Sequence, residues 1–188
     1  MTKYILHGGA TRNISKDNKR FFSEITNGLN EPINILCAYF SKDEEFWLDL
    51  FNQDKINFSS VAPNKTLNFV LADANQDKFI QQIKDSDVIY FRGGNTEMLK
   101  NHLINIKNLE NLWQGKVVAG SSAGAYILTK YYFNNDDQKI YSGFNILPIK
   151  LIAHYSPEKT EALEKLEKYG ENLEVYKIPE EKFFIIEK

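Results

Sequence analysis

Short apolar runs alternate along this chain with longer segments whose apolar positions recur at helical spacing. The runs predict strands at Lys3–Leu6, Ile33–Phe40, Asn68–Ala72, Val88–Phe91 and Lys116–Ala119. The segments between them predict helices at Lys16–Leu29, Lys42–Asn52, Gln76–Ile83 and Thr96–Ile104. Regular alternation of strand and helix implies a parallel sheet with helices on both faces. Strands that are apolar without a clean two-residue period fit burial from both sides. The expectation is an α/β fold: an open, mostly parallel sheet in three layers, α/β/α, built by residues 1–188 as one domain.

After residue 122 the pattern loosens. Tyr131–Gly143 is polar and reads as a loop or hairpin. Pro157–Tyr169 predicts a helix, with Ser156 as its cap, Pro157 at the first position and Gly170 as its stop. Its residues Ala162, Leu163, Leu166 and Tyr169 form one apolar stripe suited to core packing. Leu173–Ile178 and Phe183–Ile186 read as two closing strands.

Composition removes several function classes. The chain has 188 residues, and its 23 Lys and Arg nearly balance 25 Asp and Glu. That balance lacks the basic face expected of a nucleic-acid binder. Cys37 is the only cysteine and lies in an apolar run, so it is expected to be a buried, inert thiol in a reducing compartment. No apolar segment is long enough to span a bilayer, and the start of the chain lacks a signal-peptide core. Cytoplasmic residence is the expectation. No His, Cys, Asp or Glu cluster has metal-ligand spacing, so neither metal nor cofactor is expected.

The candidate chemistry centres on Gly120-Ser121-Ser122-Ala123-Gly124-Ala125, where an apolar strand meets a helix-compatible run. Gly-x-Ser-x-Gly at such a junction lifts its serine out of the sheet on a sharp turn. Ser122 is therefore the candidate nucleophile, and the Ala123 N–H one candidate donor to an oxyanion. A serine needs a base. Of the three histidines, His7 ends the first strand, and His102 sits in a helical segment at a position expected to be exposed. His154 follows the apolar run Leu151-Ile152-Ala153 and so lies at a strand's carboxyl end, where open parallel sheets form their crevice. An acid must orient the imidazole. Asp136 or Asp137 would supply it in the order serine, acid, histidine; Glu180, just past another strand, would supply it in the order serine, histidine, acid. Phe91-Arg92-Gly93-Gly94-Asn95-Thr96 offers further backbone donors, because paired glycines allow close approach to a substrate.

These stretches resemble, in order, the peptidase E (aspartyl dipeptidase) and cyanophycinase family: the Phe91–Thr96 glycine turn, the Gly120–Ala125 elbow, His154, and Ile178-Pro179-Glu180. The resemblance implies a class I glutamine amidotransferase-like fold and a Ser122–His154–Glu180 triad. It makes Gly93 or Gly94, with Ala123, the oxyanion donors, and Asp137 an accessory residue. It implies a serine-type, dipeptidase-like hydrolase of small peptides. The family's arginine-bearing segment after the histidine is replaced here by Glu158-Lys159-Thr160-Glu161. Lysine is a point charge without the bidentate fork of arginine, which weakens the case for aspartyl specificity. Lys159, Arg92 and Asn95 stand as substrate-binding candidates, Arg92 alternatively as a surface arginine. The chain ends eight residues after Glu180, sooner than in the family, which would leave the crevice more open. A non-catalytic binder of a small molecule or protein is the rival reading. A glutamine amidotransferase would carry cysteine at the elbow, where this chain has Ser122.

Overall fold

The computed structural model describes residues 1–188 and contains ten strands and seven α-helices. The strands are β1 (Lys3–His7), β2 (Ile33–Ala38), β3 (Leu67–Leu71), β4 (Val88–Phe91), β5 (Val117–Ser121), β6 (Thr129–Asn134), β7 (Lys139–Ser142), β8 (Leu147–Ala153), β9 (Val175–Ile178) and β10 (Phe183–Glu187). The helices are α1 (Lys16–Thr26), α2 (Trp47–Val61), α3 (Gln76–Lys84), α4 (Thr96–Leu103), α5 (Leu109–Trp113), α6 (Ala123–Tyr126) and α7 (Thr160–Lys168).

The main sheet has the order β10-β1-β5-β4-β2-β3. All its pairings are parallel except β10 on β1. Its strands alternate between two cores. Ile5, Ile35, Cys37, Tyr90 and Ala119 pack under α1 and α2, against Phe21, Phe22, Ile25 and Phe58. Tyr4, Leu6, Leu36, Phe91 and Val118 face the opposite side, against α3 to α6. Each fully buried Phe, Ile or Leu in these layers contributes roughly 1.5–3 kcal/mol of transfer free energy. Helix α1 illustrates the local code: the Ser15 hydroxyl accepts the Asn18 N–H at its start, and Phe21, Phe22 and Ile25 form the buried stripe.

The parallel α/β architecture expected from the sequence is present, but divided between two sheets. The polar Tyr131–Gly143 stretch is the β6–β7 hairpin of a second sheet, ordered β7-β6-β8-β9. This sheet lays Tyr132, Leu147, Leu151 and Ala153 on the α3–α6 side of the main core. Its other face, with Phe133 and Ile152, is covered by Leu163 and Leu166 of α7. The first sheet cannot take these strands at the β1 edge, because β10 occupies it. The predicted 157–169 helix begins as a 3-10 turn over Pro157–Lys159, and the Ser156 side chain makes no capping hydrogen bond. Tyr169 falls outside the buried stripe, 44% exposed, with its ring against Tyr131. The short helix α5, which buries Leu109 and Trp113, escaped the sequence reading. No helix is long and apolar enough to cross a membrane.

Candidate active site

Four strands of the main sheet, in the spatial order β1-β5-β4-β2, end along one carboxyl edge. The loops after them, with the ends of β8 and β9, line a polar cleft of about 700 Å³. Ser122 sits on the turn after β5 with φ 48° and ψ −106°, a conformation a non-glycine residue adopts only under strain of about 1–3 kcal/mol. Its surroundings enforce that turn: the Ser122 N–H donates to the His7 carbonyl at 2.9 Å. The elbow glycines are there for contact. A Cβ on Gly120 would lie 2.2 Å from the Gly124 carbonyl oxygen, and one on Gly124 would lie 2.4 Å from that of Phe91.

The second sheet delivers the other groups. His154 immediately follows β8, with φ 52°, and its N–H donates to the Gly8 carbonyl at 2.8 Å, tying the two sheets together. Its Nε2 lies 3.0 Å from Ser122 Oγ and its Nδ1 2.9 Å from Glu180 Oε1. The serine, imidazole and carboxylate thus stand in one relay, with the acid drawn from beyond β9. Glu180 is solvent-facing, its side chain 58% exposed. Asp136 lines the cleft without touching the imidazole. Asp137 lies outside it, its carboxylate taken by the Tyr141 hydroxyl and the Lys139 N–H.

Gly93 and Gly94 lie beside the serine as a pair of free donors. Ser41 pins their loop: its hydroxyl donates to the Arg92 carbonyl at 2.8 Å, and its own carbonyl accepts the Asn95 N–H at 2.8 Å. The N–H groups of Gly93 and Gly94 make no hydrogen bond within the protein. Gly93 is the nearer, since a Cβ on it would lie 3.1 Å from that of Ser122. The Ala123 N–H opens α6 and has no acceptor one turn back in that helix. Helix α6 is a single turn, shorter than the elbow pattern suggests, so its dipole is small and the N–H groups themselves carry any stabilisation of an oxyanion.

Three further candidates are committed elsewhere. Asn95 caps α4, its side chain accepting the Met98 N–H at 3.0 Å; an Asn directly before a helical run is a signal the sequence offered. Lys159 donates to the His154 carbonyl at 2.6 Å, outside the cleft, with burial pulling its pKa down. Arg92 reaches the cleft wall but is no surface arginine: it is 7% exposed and pairs with the fully buried Asp54 at 3.0 Å. Tyr39 donates to the same carboxylate oxygen at 3.0 Å. His102 is half-buried, not exposed, because its ring stacks on Phe40 at 3.6 Å between centroids.

The sequence reading missed four supporting residues. The Tyr126 hydroxyl accepts the Ala153 N–H at 3.1 Å, and the Asn135 amide donates to the Ala153 carbonyl at 2.9 Å, so both grip the strand end that bears His154. His7 is wholly buried beneath the elbow. Its Nδ1 accepts the Gly9 N–H at 3.1 Å, which fixes the tautomer: Nε2–H donates to Asn18 Oδ1 at 3.0 Å. Burial first, and the neighbouring His154 also, lower the His7 pKa to about 4, so it stays neutral. Asn18 in turn donates to the carbonyls of Ala10 and Asn13, holding the loop that forms one cleft wall. Gly9 serves as the floor for the His154 ring, while Gly8 packs against the backbone of Ile178 and Pro179.

A family model of peptidase family S51 matches residues 64–188. No curated protein matches the chain. Among solved structures the chain is similar to a peptidase from an acI-B1 Actinobacterium, with TM-score 0.67 and 22% identity, over 99% of this chain and 83% of that one. It is also similar to a protein from Listeria monocytogenes EGD-e assigned as peptidase E, with TM-score 0.70 and 19% identity, over 99% and 94%. At such identities the likeness establishes the fold. The family model spans well over half of the chain, and on that ground the protein belongs to peptidase family S51.

Proposed function

We propose that the protein is a serine-type peptidase of small peptides, dipeptidase-like, working through Ser122, His154 and Glu180 and an acyl-enzyme. The observation that carries this is the unbroken relay from Ser122 Oγ to His154 Nε2 at 3.0 Å and from His154 Nδ1 to Glu180 Oε1 at 2.9 Å. With Nδ1–H directed at Glu180, the lone pair of Nε2 faces the hydroxyl. His154 takes the Ser122 proton as Oγ attacks the substrate carbonyl. The carbonyl oxygen becomes an alkoxide, and the Gly93 and Ala123 N–H groups complement it, with Gly94 beside them. Collapse breaks the C–N bond, and His154 gives its proton to the leaving amine. Water then repeats the sequence on the ester, frees the acid and restores Ser122. Glu180 holds the imidazole's tautomer and balances its transient charge.

A small substrate suits a cleft of this size. Arg12 and Lys42 line it, exposed and without ion-pair partners, and complement the carboxylates of a short peptide. A cytoplasmic peptide pool is the proposed source.

The test is a fluorophosphonate probe together with a dipeptide panel. Ser122 is expected to be labelled. Ser122→Ala is expected to fold normally, resist labelling and lose hydrolysis by at least about 10³-fold. Hydrolysis unaffected by Ser122→Ala would overturn the assignment. A correctly folded protein that is never labelled would make it a non-catalytic binder of the same fold.

A further inference from the structure

The strand order along the carboxyl edge gives the cleft a direction. Gly9 and the His154 ring it carries stand over β1, Ser122 over β5, Gly93-Gly94 over β4, and Ser41-Lys42 over β2. On the serine-peptidase reading, His154 delivers the proton to the leaving amine. The leaving group therefore lies over β1, and the acyl portion extends the other way, over β4 and β2.

On that side the cleft continues into a second depression of about 520 Å³, and the two share Lys42 and Leu50 as walls. Phe46 and Met98 complete its apolar lining, and Asn95, the residue after the oxyanion glycines, forms part of its rim. Phe46 is 49% and Met98 39% exposed, an apolar surface beside an otherwise polar cleft. Two charged groups border it, Lys42 and Asp43, both exposed. A lysine can lay its methylenes along such a wall and keep its ammonium in water. A methionine can adapt its three torsions to the shape of an incoming chain.

We infer that this depression is the acyl-side subsite and takes an apolar side chain, so that the residue contributing the attacked carbonyl is of the leucine, methionine or phenylalanine type. Its walls hold no arginine fork to seat a side-chain carboxylate. Covering the exposed faces of Phe46 and Met98 supplies the discrimination, and differences of a methylene or more in such a pocket separate substrates by about tenfold and upward.

The experiment measures phosphonylation of Ser122 by diphenyl phosphonate analogues of leucine, serine and aspartate, each with its α-amino group free as in a dipeptide. A fluorophosphonate without a side chain gives the baseline. The leucine analogue is expected to react at least about tenfold faster than the serine analogue. Phe46→Asp and Met98→Asp are each expected to cut that advantage by about fivefold or more while baseline labelling stays within about twofold. Met98→Ala, a milder change, should give a smaller loss in the same direction. Equal rates for the three analogues, a fastest reaction with the aspartate analogue, or an advantage unchanged in every variant would each overturn the subsite while leaving the nucleophile in place. Loss of baseline labelling in the parent protein would instead overturn the serine-peptidase reading, and the subsite with it.

Discussion

A Cβ on Gly9 would lie 2.0 Å from Cε1 of His154: the imidazole rests directly on the backbone of the β1 loop. Gly9 also has φ +113°, a region closed to ordinary side chains. Gly9→Ala must therefore push the ring off its floor and break its contact with Ser122. The expected result is a loss of kcat on the order of 10²-fold, because misplacement by about 1 Å has that effect. Peptidase assays and fluorophosphonate labelling check it; a fully active variant would show that the ring is not seated there.

His7 is expected to position this loop without touching substrate. His7→Asn keeps an acceptor near the place of Nδ1 for the Gly9 N–H and should retain most of kcat. His7→Phe keeps the bulk but loses the acceptor, and should lower kcat with little change in KM. The same residue predicts a pH dependence of stability. With the folded pKa lowered to about 4 and the unfolded imidazole near 6.5, the unfolded chain binds the extra proton between those values. Stability is thus complete above about pH 6.5 and is lost as the pH falls toward 4, by about 3 kcal/mol in total. Thermal melts from pH 7 to pH 4.5 should show that fall, and it should be smaller in His7→Asn.

Glu180 and the two loop aspartates separate cleanly. Glu180→Gln keeps an oxygen for Nδ1–H but removes the charge, and kcat should drop on the order of 10²–10³-fold. Asp136→Asn and Asp137→Asn should stay within about threefold of the parent, because neither carboxylate bonds to His154 in the structure. A larger loss in Asp136→Asn than in Glu180→Gln would reassign the acid.

Asp54 and Arg92 form a buried pair beneath the cleft wall, with side chains 0% and 8% exposed. Burial pushes the Asp54 pKa up against the pull of Arg92 and Tyr39. Asp54→Ala leaves the guanidinium buried without its counter-charge, a loss of about 3–5 kcal/mol. Chemical denaturation should show it as a lower midpoint at unchanged slope.

Much of this protein was legible from local order. β4 falls where its apolar run predicted, and α1, α3 and α4 begin on the predicted residues and end within a few of the expected ones. The elbow was readable because Gly120, Ser122 and Gly124 lie within one turn, where steric demands act on neighbours in the chain. The order serine, histidine, acid was legible as one of two candidates, because each of those residues follows an apolar run.

Other features depend on contacts between residues far apart in the chain, and no local pattern encodes those. Arg92 and Asp54 are 38 residues apart, and Gly9 meets His154 across most of the chain. The second sheet packs apolar residues of β6 and β8 on the α3–α6 core, while β10 closes one edge of the first sheet. The sequence by itself determined most of the main-sheet strands, the helices α1, α3 and α4, and the place of the strained serine, since period and sterics act within a few residues; it set α2 about five residues early and missed α5. Only the tertiary structure decided which carboxylate meets the histidine and which cation is neutralised, because burial and charge pairing are settled by neighbours in space.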